Sequence, residues 1–162
     1  MSKTTIIVVV VLLLFGAYGC STYNGLVGKD ETVNSAWAKV QTQYQRRADL
    51  IPNLVKTVKG AADFEKSTLS AVMEARSKAT SINLTADQLT PENIQKFQAA
   101  QDQLSGTLSR LLAVSENYPN LKANQNFLDL QAQLEGTENR IGVARNDFND
   151  VVKTYNQSVR TF

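Results

Sequence analysis

The sequence predicts an all-α protein in which an N-terminal membrane segment is followed by an antiparallel four-helix bundle with long, coiled-coil-like helices. Three observations support this prediction. An apolar block opens the chain, apolar residues then recur at steps of three and four, and turn-forming residues are scarce, with 8 Gly and 3 Pro among 162 residues. The length suits one folded domain, which we assign to residues 23–162, after a membrane anchor or lipoprotein signal segment at residues 1–22.

The N-terminal segment carries Lys3, then an apolar run from Ile6, and no further charge before Lys29. The apolar core has the length of a signal-peptide core, whereas the whole uncharged run is long enough for a spanning helix. Residues 17–20 (AYGC) resemble a bacterial lipobox, which makes Cys20 a candidate lipidation site. Both interpretations remain open. In both, Lys3 favours a cytoplasmic start and an extracytoplasmic helical domain, either periplasmic or at the cell surface, with the N-terminus staying cytoplasmic if uncleaved.

The last forty residues carry the clearest heptad stripe, with Thr137 and Ser158 filling its two polar gaps. A helix from about Lys122 to the end of the chain would be about 60 Å long at 1.5 Å per residue. Such a helix needs packing partners along its length. Its apolar members are Phe127, Leu130, Leu134, Ile141, Ala144, Phe148, Val151, Tyr155 and Phe162.

An earlier stripe predicts another helix, with Thr90 as N-cap, Pro91 in the first helical position and Glu92 in the first turn. The predicted end of this helix is near residues 117–119. Its stripe consists of Ile94, Phe97, Leu104, Leu108, Leu111 and Tyr118.

Residues 24–80 show helical spacing that Pro52 and Gly60 interrupt. Proline inside a helix costs about 3 kcal/mol and biases the preceding residue away from the helical region. We therefore predict a break near residues 49–51, with Asp49 capping the next helix. One kinked helix is the alternative, but four segments of comparable length pack into an antiparallel bundle more simply than three unequal ones.

Two polar groups are candidate sites. Arg46, Arg47, Asp49 and Asn53 cluster at the predicted turn, where guanidinium groups can grip a carboxylate or phosphate of a partner, or simply be solvated while Asp49 caps a helix. The second group lies beside the apolar stripe of the last helix. Its residues either form a polar network between helices that fixes register or are simply exposed to solvent. Its members are Glu138, Asn139, Arg140, Arg145 and Asn149.

Composition argues against catalysis and nucleic-acid binding. The chain has no His and one Cys, and its 17 Lys and Arg against 15 Asp and Glu leave a net charge of +2. The commonest general base and zinc ligand are therefore missing, and no strong positive field remains. We expect no enzyme activity, no catalytic residue, no metal and no cofactor.

The most specific motif of the chain is residues 43–55 (QYQRRADLIPNLV), which residues 116–119 (ENYP), 121–124 (LKAN), 138–141 (ENRI) and 155–156 (YN) follow. These segments resemble, in the same order, motifs of the LemA family of bacterial membrane proteins. The resemblance implies a membrane-proximal N-terminus and an antiparallel helical bundle, and it brings no reaction with it. Members of that family usually continue past the position of Phe162 with a Pro-containing, apolar tail.

Two functions follow as hypotheses. The first is a membrane-anchored, non-enzymatic scaffold or interaction protein whose partners are the membrane and other proteins or copies of itself, in a possible homo-oligomer. The second is an extracytoplasmic binding module for a small ligand or peptide. A bundle filled by its own side chains favours the first, whereas a sizeable pocket near Trp37 or Tyr155 favours the second.

Overall fold

The computed structural model describes residues 3–60, 65–85 and 88–161, and all regular structure in these ranges is helical. The helices are α1 (Lys3–Lys59), α2 (Lys66–Ser81), α3 (Pro91–Ser115), the short α4 (Pro119–Lys122) and α5 (Gln125–Arg160). The prediction of an all-α protein is confirmed. Contacts divide the chain into two compact units, one from α1 up to Ala38 with α5 from Asn146 onward, the other from Lys39 to Arg145.

The first unit pairs α1 with the C-terminal part of α5. The rings of Trp37 and Phe148 meet with centroids 5.2 Å apart, and the Lys29 ammonium donates to the Ser158 hydroxyl. Phe148 is buried, as the heptad stripe predicted. The two contacts show that α1 and α5 run antiparallel in this unit, because lower numbers on α1 meet higher numbers on α5.

The second unit has a hydrophobic core to which all five helices contribute. Large apolar side chains exclude water there, which is the main stabilising term of such a fold. The antiparallel four-helix arrangement itself stays a prediction. The core residues are Ile51, Leu54, Val55 and Val58 of α1, Leu69, Val72, Ala75 and Ala79 of α2, Leu104, Leu108 and Leu111 of α3, Leu121 of α4, and Phe127 and Leu134 of α5.

The predicted helix break near residues 49–51 is wrong, since α1 continues through Pro52 to Lys59. Proline at 52 has no N–H to donate to the carbonyl of Ala48, the usual partner four residues earlier. That carbonyl instead accepts from the Arg76 Nε of α2 at 2.7 Å. The orphaned acceptor is therefore satisfied from a neighbouring helix. Burial of Ile51 and Leu54, both 0% exposed, further favours the continuous helix.

The starts of α3 and α5 follow local rules. The Thr90 hydroxyl accepts from the Asn93 backbone N–H at 3.3 Å, and Pro91 follows in the first turn, so the predicted cap is confirmed. The Asn124 side chain accepts from the Phe127 backbone N–H at 3.2 Å. The last helix thus begins after a separate short helix rather than at Lys122.

The stripe on α5 forms its buried face. Leu134, Thr137, Ile141 and Ala144 are buried, and the Thr137 hydroxyl donates to the Gln133 carbonyl at 2.7 Å, which satisfies the polar member locally. Phe162 lies outside the described residues.

Candidate functional site

The N-terminal part of α1 displays its apolar side chains on every side. The side chains from Ile6 to Phe15 have exposed fractions between 44% and 73%. Helix α1 is long and apolar enough here to cross a bilayer, although a signal sequence has the same properties. Cys20 is also exposed on this helix. A contiguous apolar surface of this kind marks a site of contact with a membrane or another apolar partner.

Arg47 is the centre of the most elaborate polar site in the second unit. Its side chain is 1% exposed. Its Nη1 donates to the Ser105 hydroxyl at 2.6 Å and to the Glu138 carboxylate, and its Nη2 donates to the Gln101 carbonyl at 3.0 Å and to the Gln101 side-chain oxygen at 2.8 Å. The guanidinium carbon lies 5.1 Å from the centroid of the Tyr44 ring. A buried charge is thus held by one opposite charge, three neutral acceptors and one aromatic face.

The network reaches all four long helices. The Gln101 amide donates to the carbonyl of Ala79 at the end of α2, at 3.2 Å. The Ser105 hydroxyl lies 3.0 Å from the same Glu138 oxygen that Arg47 contacts. Because α1, α2, α3 and α5 all supply a partner, sliding one helix past another breaks several hydrogen bonds at once. The arrangement can therefore fix helix register, as buried polar residues do in other helical assemblies.

Tyr44 contacts both Arg47 and Phe97. Its ring meets that of Phe97 edge-on, with centroids 5.1 Å apart and an interplanar angle of 80°. Burial raises the pKa of the Tyr44 hydroxyl above its ordinary value, against the smaller lowering effects of Arg145 and Arg47. The phenol therefore stays neutral, which suits packing rather than proton transfer.

The structure separates the residues that the sequence placed together at a turn. The predicted turn is wrong, because all four residues lie inside α1. Arg46 is exposed there, whereas Arg47 is buried. Asp49 caps no helix. Its carboxylate lies inside α1 and accepts from the Gln45 amide at 2.8 Å. Asn53 is exposed and lines a surface cavity. A partner-docking role for this group stays a prediction, and Arg46 is its accessible cation.

The second predicted group is also divided. Glu138 joins the Arg47 network, whereas Asn139, Arg140, Arg145 and Asn149 are exposed on α5. Sequence reasoning missed Gln101 and Ser105. Gln101 lies four residues after Phe97 and three before Leu104, so it fills a polar gap in the α3 stripe. That gap is the sequence feature that could have identified Gln101 as an inward-facing polar residue.

Each unit carries a surface cavity that is lined by described residues. One, of about 330 Å³, belongs to the first unit and includes Tyr155 in its lining. The other, of about 560 Å³, belongs to the second unit and is lined mostly by amides and hydroxyls around Asn53 and Asn124. Within residues 3–60, 65–85 and 88–161, no three side chains of the acidic, His or Cys types come together as metal ligands would.

Comparison with known proteins supplies a family context. Residues 36–162 match the model of the LemA family. The chain is 24% identical over 139 residues to Protein LemA of Metamycoplasma hominis, an alignment covering 86% of this chain and 60% of that protein. It is 28% identical over 151 residues to magnetosome protein MamQ 2 of Paramagnetospirillum magneticum, with coverage of 83% and 56%. Magnetosome protein MamQ of Magnetospirillum gryphiswaldense is 26% identical over 154 residues, with coverage of 85% and 57%. The chain thus spans more than half, but less than two thirds, of the length of these relatives.

Proposed function

The chain belongs to the LemA family, and from that premise we propose that it is a membrane-anchored, non-enzymatic helical scaffold or interaction protein. The observation that carries the proposal is the run of exposed apolar side chains from Ile6 to Phe15 on α1. In water this surface is unfavourable by roughly 25 cal/mol for each Å² of apolar area, and a bilayer removes that cost. The names of its relatives, LemA and MamQ, specify no reaction.

The anchor takes one of two forms, and one substitution distinguishes them. If Cys20 is lipidated, Cys20→Ala blocks metabolic labelling with a fatty acid and blocks removal of residues 1–19. If α1 spans the bilayer, the variant stays membrane-bound, and intact mass gives the full chain with residues 1–19 in both proteins. Recovery of the unmodified full chain in the soluble fraction after cell lysis contradicts both forms.

The proposed orientation places the start of the chain in the cytoplasm and the helical domain outside it, because Lys3 and the amino terminus are the positive charges next to the apolar run. A protease added to spheroplasts then digests the helical domain before the cells are lysed. A cytoplasmic marker protein serves as the control for lysis. Protection of the helical domain until lysis would reverse the orientation.

The proposal includes binding of a partner protein, and self-association is one form of such binding. Arg46 supports it as an exposed cation in the LemA-like motif. We expect Arg46→Ala to reduce crosslinked partners or oligomers in native membranes without changing helicity. Lys96→Ala is the matched control, since Lys96 is also an exposed helical cation but lies outside the motif. Equal crosslinking of both variants and the unaltered chain would remove Arg46 from the docking surface.

The alternative is a binding module for a small ligand or peptide. The cavity of about 330 Å³ that Tyr155 helps to line supports it, since ligand sites begin at about this volume.

A further inference from the structure

The cavity beside Tyr155 has charged groups on both of its walls. Helix α1 supplies Lys29 and Thr32, and α5 supplies Asp150 and Tyr155. Val151 and Thr154 complete the lining. The site is therefore a small cleft between two helices of the same unit, with a cation on one wall and an anion on the other.

The depth of this cavity relative to a bilayer follows from the helix rise. A spanning helix needs about 20 residues to cross a hydrocarbon core of about 30 Å. Counted from Ile6, these residues end near Gly25. Lys29 then lies about 6 Å farther along α1 at 1.5 Å per residue. The headgroup layer is about 5 to 8 Å thick on each side. Lys29 thus falls within that layer, and Thr32 lies just above it.

Contacts within the first unit hold α5 at the same level. The ring contact of Trp37 with Phe148 and the hydrogen bond from Lys29 to Ser158 fix the antiparallel pair on either side of the cavity. Residues 150–155 lie between these two contacts along α5. Tyr155 is therefore about level with Thr32, whereas Asp150, five residues earlier on α5, lies about 7.5 Å farther from the bilayer than Tyr155 at 1.5 Å per residue. The anion of the cavity thus lies on the outer side of the cation.

The charges suit a ligand that carries both signs. Neither Lys29 nor Asp150 forms an ion pair with another residue in the described ranges, although they line one cavity. The Lys29 ammonium gives one of its three N–H donors to Ser158 and keeps two for an acceptor such as phosphate. The Asp150 carboxylate can accept from an ammonium group. Val151 and Tyr155 add apolar surface that suits the short carbon linker between the two charges.

We propose that this cleft binds the zwitterionic headgroup of a phospholipid, with Lys29 on the phosphate and Asp150 on the ammonium group. The proposal rests on the proposed anchoring of α1 as a spanning helix. It adds to that anchoring a lipid specificity, because a purely anionic headgroup satisfies Lys29 but leaves Asp150 facing a group that carries no positive charge.

The test uses the full chain, purified in mild detergent and titrated separately with phosphatidylethanolamine and phosphatidylglycerol. Native mass spectrometry counts the lipids that the protein retains. Both lipids carry a phosphate, but only the first has an ammonium group. We expect preferential retention of phosphatidylethanolamine and a loss of about tenfold in Lys29→Gln and in Asp150→Asn. Lys153→Gln and Asp147→Asn, which change the same charges on exposed positions of α5 outside the cavity, retain the lipid as the unaltered chain does.

The outcomes separate this proposal from the anchoring on which it rests. Equal retention of the two lipids, or an unchanged result for Asp150→Asn, overturns the headgroup assignment. Equal losses in the two control variants overturn it as well, because they reveal a general charge effect. Flotation of every variant with vesicles made of both lipids reports on anchoring alone. Failure of the unaltered chain to float contradicts the proposed function, whereas flotation with no lipid preference contradicts only the cleft.

Discussion

The ion pair between Arg47 and Glu138 is predicted to be energetically asymmetric. Arg47 is 1% exposed, whereas Glu138 is 45% exposed. Removing Glu138 leaves a buried guanidinium without its counter-charge, and loss of one partner from a buried pair typically costs about 3 to 5 kcal/mol. Removing Arg47 leaves a carboxylate that water already reaches. We therefore expect Glu138→Ala to destabilise the protein more than Arg47→Met, although Arg47 makes more hydrogen bonds.

The magnitude for Arg47→Met follows from its neutral partners. Methionine fills much of the volume of the arginine stem, but the Gln101 side-chain oxygen and backbone carbonyl lose their donors. A buried acceptor left unsatisfied costs about 1 to 3 kcal/mol. Part of this cost is offset because the desolvated charge disappears, together with an Arg47 Nε that has no hydrogen-bond partner among the described residues. We expect a net loss of about 1 to 3 kcal/mol for Arg47→Met.

The double variant completes the cycle. Once Arg47 is replaced, Glu138 has little left to stabilise, so Arg47→Met with Glu138→Ala is expected to be about as stable as Arg47→Met alone. Urea unfolding of the full chain in detergent, followed by far-UV circular dichroism, measures all three variants, and unchanged slopes against urea validate the comparison. Arg46→Met, one residue earlier and exposed, is the control and is expected to stay within about 0.5 kcal/mol. Additive single costs, or a larger loss for Arg47→Met than for Glu138→Ala, would refute the reasoning.

Three further outcomes are expected. Arg76→Ala costs about 1 to 3 kcal/mol in the natural chain, because the Ala48 carbonyl loses its only long-range donor among those described. In the Pro52→Ala background the same change costs less than about 1 kcal/mol, because residue 52 then has a backbone N–H that can donate to this carbonyl. Equal costs of Arg76→Ala in the two backgrounds, measured by urea unfolding, would contradict the idea that Arg76 replaces that N–H. The pKa of Tyr44 is raised above its ordinary 10.0, so the stability that this shift contributes is complete below pH 10 and is lost as the pH rises through the folded-state pKa. Tyr44→Phe is therefore expected to flatten the decline of the melting temperature at alkaline pH. An identical decline in both proteins would argue against a raised pKa of Tyr44. Phe148→Asp costs several kcal/mol, because it puts an unpaired charge in a buried position. Lys96→Ala removes only the exposed ion pair with Glu92 and costs about 0.2 to 0.5 kcal/mol. Equal melting temperatures of the two variants would count against the buried stripe.

The helical class, the buried stripe of α5 and the cap at Thr90 could be read from the sequence because each depends on residues close together in the chain. Heptad spacing repeats every two turns, and a cap needs only the next three residues. The family could be recognised for the same reason, since its motifs are contiguous segments. The apolar run near the N-terminus needs no tertiary information either, because its length and composition alone make it a membrane candidate.

The path of α1 through Pro52 required the tertiary structure. Local rules count a lost hydrogen bond at this position and predict a break. They contain no information that Arg76, on another helix, donates to the carbonyl that the proline leaves without a partner. Because of the incorrect break, Arg47 was predicted to lie near a turn, whereas α1 continues as a helix at this position. Along an unbroken helix, Tyr44, Arg47 and Ile51 follow one heptad stripe, and Arg47 lies on the seam rather than at the surface.

The local properties of this protein can be read from its sequence: its helical class, its apolar faces and the end that is suited to a membrane. Which polar residues meet depends on the tertiary structure. Arg47, Gln101 and Glu138 lie on three different helices, separated by 54 residues and 91 residues from Arg47, and each is an ordinary polar residue in its own segment. A buried charge is tolerated only where several partners converge, and that convergence depends on the register and rotation of all the helices together. No pattern within one helix encodes it, so only the assembled core shows that Arg47 belongs inside.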